Sequence, residues 1–307
     1  MKKYQFIILA LGIIFLISLL ISRTVETTKS IQPNKVALIP IYGTITVSSE
    51  SDLFFGQSQA PSSVIIEALD KADKDPTIKA IILEINSPGG TVVASREIGN
   101  KIKSINKPVV SWIRELGASG AYWIASTSDY IIADPMSITG SIGVIGSYLE
   151  FSDLFEKYGV TYQRLVGGNL KDAGTPYKDL TNEERQFLQE KIDKIHDSFI
   201  KEVSINRKLD YEKVKKLSNG AFYLGEEALD FGLIDELGSK DEAVNKVKEL
   251  ANIKDAELVS FKKETSILDV IQKLTSYNSF YIGRGIGFSL FQGFKQENSY
   301  SNILKIA

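Results

Sequence analysis

The sequence predicts an α/β protein built on a largely parallel, buried sheet, preceded by one N-terminal transmembrane helix. Three observations carry this. Short apolar runs of strand length alternate with amphipathic segments of helical period. Several of those runs end in glycine-containing turns, as strands do when crossovers lead on to the next parallel strand. Ahead of them lies an uncharged run from Tyr4 to Ser22, dominated by Ile, Leu and Phe.

At about 1.5 Å per residue that run reaches roughly 28 Å, close to the thickness of a hydrocarbon core. Lys2 and Lys3 favour an inside N-terminus, and Arg23 weakens that bias only a little. The remainder is therefore expected on the extracytoplasmic side of the cell membrane, held by a single span. A cleaved signal peptide is the alternative, but the exit Ile-Ser-Arg-Thr-Val carries no A-x-A-like site and no lipidation cysteine. Residues 1–23 are read as the anchor and 24–35 as a polar linker.

A β-rich run follows from Val36 to Val47, closed by a Ser-rich stretch from Ser48 to Ser63. Val64 to Asp73 has helical character. Ala80 to Ile85 (AIILEI) is a short apolar strand running into Asn-Ser-Pro-Gly-Gly. A helix is expected from Val92 to Ile105 and a strand from Val109 to Ile113, after Pro108. The small-residue turn LGASGAYWIAS then opens another helix. Tyr130 to Ala133 reads as a strand, and Ile142 to Ile145 sits in a glycine-punctuated segment. Thr181 to Arg207 forms a long amphipathic helix: Thr181 and Glu184 make a capping box, and Leu188, Ile192, Ile195 and Phe199 share one stripe. The globular domain is set at residues 36–258. The tail, 259–307, is weakly patterned and has no assigned role.

Composition narrows the chemistry. The 307 residues carry 36 Lys plus Arg against 38 acidic residues, a net charge of −2, so no basic surface for nucleic acid is expected. No cysteine is present, which removes disulfides, thiol nucleophiles and Cys-ligated metals. The single histidine, His196, rules out a multi-His metal centre. No cofactor or metal is expected.

Three glycine-bearing turns follow apolar strands: Asn86 to Gly90, Gly117 to Gly120 and Thr139 to Gly143. Gly89 and Gly90 let backbone N–H groups face a ligand without Cβ obstruction, and such amides can stabilise a developing oxyanion. The same glycines could serve connection geometry alone. Ser119, between Ala118 and Gly120, is either an exposed nucleophile or simply a helix N-cap. A serine nucleophile needs a base. His196 lies on the margin of the long helix's apolar stripe, where a boundary packing or solvent role is the plainer reading. The other route is a neutral lysine. Lys171 sits between glycine-bearing turns in VGGNLKDAGTP, whereas Lys178 sits in the more polar YKDL. Bringing a lysine from its ordinary value near 10.4 to about 7–8 requires about 4 kcal/mol of destabilisation of the ammonium, so the site must be dry. Ser141 is a plausible partner, because a hydroxyl orients a neutral amine without stabilising its charge.

Five motifs in order, INSPGG, GASGAYWIAS, ITGSIGVIG, LKDAGTP and ALDFGLIDELG, resemble the signal peptide peptidase A family in its shorter, single-repeat form. The resemblance covers about Val36 to Val247. It implies a Clp-protease/crotonase-like fold of repeated ββα units and a Ser-Lys serine endopeptidase that degrades cleaved signal peptides and similar hydrophobic peptides at the membrane. By position, Ser119 is then the nucleophile, Lys171 the base and Ser141 the hydroxyl that orients it. The amides of Gly89 or Gly90 and of Gly120 form the oxyanion hole. The resemblance also implies a homo-oligomeric ring whose sites take serine from one subunit and lysine from its neighbour. Ala121 stands where the family often has glycine. Two other readings remain: an acyl-CoA hydratase or isomerase on a related scaffold, and a catalytically inactive membrane scaffold of the same fold.

Overall fold

The computed structural model describes residues 11–18, 34–48, 58–261 and 283–284. The chain divides into two compact units, Met1–Phe261 and Lys262–Ala307. Within the expected anchor the described residues, 11–18, are helical (α1), and the rest of that run lies outside them, as do most of the linker and the tail. Among the described residues no helix is long and apolar enough to cross a membrane.

One sheet organises the first unit. Its main path runs β10 (Glu257–Ser260), β1 (Lys35–Tyr42), β4 (Ile78–Ser87), β5 (Val109–Ala118), β6 (Tyr130–Ala133) and β9 (Glu236–Leu237), with every pair parallel. Further along β5, β7 (Ile138–Gly140) adds in parallel and carries β8 (Phe222–Leu224) antiparallel to itself. The central strands are apolar on both faces because both faces are covered. Ala37, Ile39, Ile81 and Leu83 point into one core, packed by α2 (Ser62–Lys74), α3 (Val92–Lys103), α4 (Gly120–Ser126) and α6 (Asn182–Arg207). Their neighbours Val36, Leu38, Ala80 and Ile82 point into a second core beneath α9 (Lys240–Leu250), with Ala243 and Val247. Strand alternation thus splits one continuous apolar run between two layers.

Several local features follow from single residues. Gly43 adopts φ +79, and a Cβ there would lie 1.9 Å from the Ser58 carbonyl oxygen. The expected run from Val36 to Val47 therefore breaks at Gly43 into β1 and β2 (Thr44–Thr46), and β2 pairs with β3 (Gln59–Pro61) inside the stretch read as Ser-rich loop. The Thr181–Glu184 capping box is formed in both directions at the start of α6. The C-terminal motif ALDFGLIDELG is largely structural. Arg207 donates to both carboxylate oxygens of Asp235 (2.7 and 2.9 Å) and to the Gly232 carbonyl, while Asp235 accepts from the Ile131 amide at 2.8 Å.

The sheet also runs beyond the boundary placed at Leu258. Residues 257–260 pair with Lys35 to Leu38, and the Phe261 amide donates to the Leu38 carbonyl, so the compact unit ends at Phe261. The apolar stripe of α6 is buried only in its C-terminal part, at Phe199, Ile200 and Val203. Its N-terminal part leaves the sheet, with Leu188, Ile192 and Ile195 half-buried. From Ser141 to Leu180 the chain forms an arm with one short helix, α5 (Ser152–Lys157). Its apolar side chains face outward: Ile145 is 90 %, Leu149 74 % and Leu165 97 % exposed.

Candidate active site

Adjacent parallel strands β4 and β5 end side by side, with Ser87 opposite Gly117, and the loops leaving them meet. Sites gather at such strand ends. Beyond β5 the chain turns at Ser119 into α4 with φ 52 and ψ −123, a conformation that is strained for a residue with a side chain. Backbone bonds hold it on both sides: the Ser119 amide donates to the Gly140 carbonyl, and the Trp123 amide donates to the Ser119 carbonyl, each at 2.9 Å. Ser119 is thus the N-cap residue of α4, yet its hydroxyl makes no capping bond. A strained strand-to-helix turn that frees Oγ is the geometry of an elbow-mounted nucleophile.

The glycines around it are required by space. A Cβ on Gly89, at φ +98, would stand 2.9 Å from the Ser119 Cβ, and one on Gly90 would stand 2.0 Å from the Ile45 carbonyl oxygen. A Cβ on Gly120 would sit 2.4 Å from the Ser95 Oγ and 3.2 Å from the Gly90 amide nitrogen. The amides of this loop divide by occupation. Gly89 N–H donates to the Ser87 hydroxyl at 3.1 Å, which itself donates to the Gly43 carbonyl. Gly90 and Gly120 keep their N–H groups free of acceptors among the described residues, and both line the same space as Ser119. That leaves two donors for a developing oxyanion.

The space is a cavity of about 660 Å³. Its floor is the stack of Trp123 on Phe199, ring centroids 4.6 Å apart, and Ile192 and Val92 add apolar wall. A volume of this order suits a peptide side chain with neighbouring backbone. Ser141, also at positive φ (49), lines the cavity and donates from Oγ to the Gly220 carbonyl at 3.3 Å.

Lys171 is not there. Within one chain it is exposed, on a turn closed by its own amide donating to the Gly168 carbonyl at 3.1 Å, and it is absent from the cavity lining. Lys178 is committed elsewhere, bonded to the buried carboxylate of Glu184. His196, read from the sequence as a boundary residue, forms part of the cavity wall, and its Nε2 is buried with no hydrogen-bond partner. No carboxylate or carbonyl orients its ring among the described residues, so the third member of a histidine triad is missing. Sequence reasoning gave Trp123 and Ser95 no part in the site and read Phe199 only as a member of the long helix's apolar stripe. The stripe spacing of Ile192, His196 and Phe199 was the available signal, since it places all three on one helix face.

A strained, unbonded serine beside two free amides at the strand ends of a parallel α/β sheet has the geometry that a serine hydrolase needs. Comparison with known proteins names its class. The family model described as Peptidase family S49 matches residues 101–254, and that of Clp protease matches residues 41–133. A putative protease of Methanocaldococcus jannaschii is 34 % identical over 95 % of this chain and 96 % of its own length. The putative signal peptide peptidase of Enterococcus faecium is 34 % identical over 90 % and 78 %. Protease 4 of Haemophilus influenzae is 39 % identical over 72 % of this chain and 35 % of that longer protein. The chain belongs to peptidase family S49, and it is a serine peptidase with a Clp-protease-like α/β fold.

Proposed function

We propose that this chain is a membrane-bound endopeptidase in which Ser119 attacks the scissile carbonyl and Lys171 of a neighbouring subunit removes the serine proton. The observation that carries the reading is the Ser119 turn: a serine held in strain, with the Gly90 and Gly120 amides free beside it and, among the described residues of its own chain, no oriented base. A ring assembly supplies the missing group. The exposed apolar arm from Ser141 to Leu180 carries Lys171, and docking it on a second copy would bury Ile145, Leu149 and Leu165 together with the lysine. Burial of that kind removes water from the amine and disfavours its charged form.

In the reaction, the neutral Lys171 amine accepts the Ser119 proton as Oγ adds to the peptide carbonyl. The oxyanion is held by Gly90 and Gly120 N–H, and the ammonium then protonates the leaving amine. Water repeats the sequence to release the acyl group. Ser141 orients the amine. The cavity floor of Trp123 and Phe199 favours apolar side chains, in keeping with hydrophobic peptides such as cleaved signal peptides, and the likeness to the putative signal peptide peptidase of Enterococcus faecium supports that substrate class. The Tyr4 to Ser22 run would hold the catalytic unit on the extracytoplasmic face.

The test compares single substitutions in the full-length, assembled protein, using peptide hydrolysis and labelling by a serine-directed phosphonate. Both signals should vanish in Ser119→Ala, and hydrolysis should fall by at least about a thousandfold in Lys171→Ala, while His196→Ala stays active. His196 is a rival base, because it lines the cavity. Loss of labelling in His196→Ala with retention in Lys171→Ala would move the mechanism to histidine.

A further inference from the structure

The turn that carries Lys171 is clamped by a residue outside every motif noted above. Arg164 lies on the extended part of the arm and reaches the turn with its full fork. Nε donates to Asp172 Oδ2 at 2.8 Å, one terminal nitrogen donates to Asp172 Oδ1 at 2.8 Å, and the same nitrogen donates to the Asn169 carbonyl at 3.0 Å. Asn169 and Asp172 flank Leu170 and Lys171, so three bonds from one guanidinium bracket the lysine. Asp172 is only 13 % exposed, a position where an unpaired carboxylate would seek the nearest cation.

We propose that Arg164 is a positioning residue for Lys171, locking the turn that presents the lysine and occupying the Asp172 carboxylate so that it cannot pair with the lysine ammonium. The inference rests on the reading of Lys171 as base. A free carboxylate one residue away would favour the charged amine, whereas a carboxylate held bidentately by arginine does so far less. The bond from Arg164 also holds the Asp172 carboxyl below its usual range, so it stays ionised and paired at working pH. The other charged or titratable groups that face the pair are Lys178 toward Asp172, and Glu184 and Tyr162 toward Arg164. Lys178 and Glu184 already neutralise one another, so neither can take over the role of Arg164.

The experiment is the pH dependence of kcat/KM in the full-length assembly, measured with a fluorogenic peptide amide ending in leucine. Arg164→Gln should move the acid limb upward by about one pH unit, a loss of about tenfold at pH 7 that is recovered at alkaline pH. Adding Asp172→Asn to Arg164→Gln should return the limb toward its original position, because the stray carboxylate is gone. A limb that does not move in Arg164→Gln overturns the proposal. So does a loss that is equal at every pH and unrelieved by Asp172→Asn, which would make Arg164 merely structural. Persistent hydrolysis in a parallel Lys171→Ala sample would instead remove the base assignment itself, and this inference with it.

Discussion

A methyl group placed on Gly89 would stand 2.9 Å from the Ser119 Cβ and 2.7 Å from the Gly120 amide nitrogen. The loop after β4 therefore packs against the Ser119 turn with no room for a side chain, and the strain at Ser119 is held from outside as well as by its own backbone bonds. Gly89→Ala must also place alanine at φ +98, where L-residues are strained. We expect kcat to fall about a hundredfold, from displacement of the nucleophile relative to its amide donors, with stability lowered by about 1–3 kcal/mol. Steady-state kinetics and denaturant melts check the two separately, and near-normal kcat would show that the loop does not set the nucleophile.

Phe199 joins the cavity to the core. It is 2 % exposed and stacks on Trp123, so it is both the floor of the site and a packing element between α6 and α4. Phe199→Ala should cost about 3–5 kcal/mol in chemical denaturation, and Phe199→Leu distinctly less. In the leucine variant the kinetic change should fall mainly on KM, because the floor contacts substrate rather than the reacting atoms.

Arg207 and Asp235 carry a prediction about architecture rather than chemistry. The guanidinium is 8 % exposed and is satisfied by Asp235 and the Gly232 carbonyl. Asp235→Ala leaves it buried without its counter-charge and frees the Ile131 amide, at a cost of about 3 kcal/mol. Urea unfolding should show this loss while the kcat of the surviving folded enzyme is little altered, since the network lies away from the cavity lining.

Acid stability should depend on Glu184. Its hydrogen bond from Lys178, then those from the Thr181 cap, hold this carboxyl below its usual range. A depressed value means that the ionised form favours the folded chain. The stabilisation is present above the ordinary carboxylate value and disappears as pH falls through the lower folded value. Thermal melts should therefore show Glu184→Gln well below the parent near neutral pH, and the gap should close toward pH 3. A gap independent of pH would mean that only packing was lost.

The parallel sheet was readable because its central strands are apolar on both faces and end in glycine turns. The sharp turn at Ser119 was readable because small residues flank it. What escaped was non-local. β8 and β10 are only three and four residues long, and they exist through pairing with β7 and β1 rather than through any pattern of their own. The break at Gly43 depends on a carbonyl fifteen residues away. Both sides of the Thr181–Glu184 cap were legible because a cap is local, whereas the place of His196 in the cavity wall depended on where α6 leaves the sheet. The sequence preferred Lys171 to Lys178 by context alone; the pairing of Lys178 with Glu184 is a contact that this context did not reveal.

Mixed assemblies decide whether Ser119 and Lys171 meet across a subunit boundary, as proposed above. Ser119→Ala and Lys171→Ala subunits are each expected to be inactive alone. Unfolded together and reassembled in equal amounts, they should regain peptide hydrolysis, with about a quarter of sites intact if subunits mix at random around a ring. If proven co-assembly of the two leaves hydrolysis at the level of either variant alone, serine and lysine do not complete one another between chains, and the account fails.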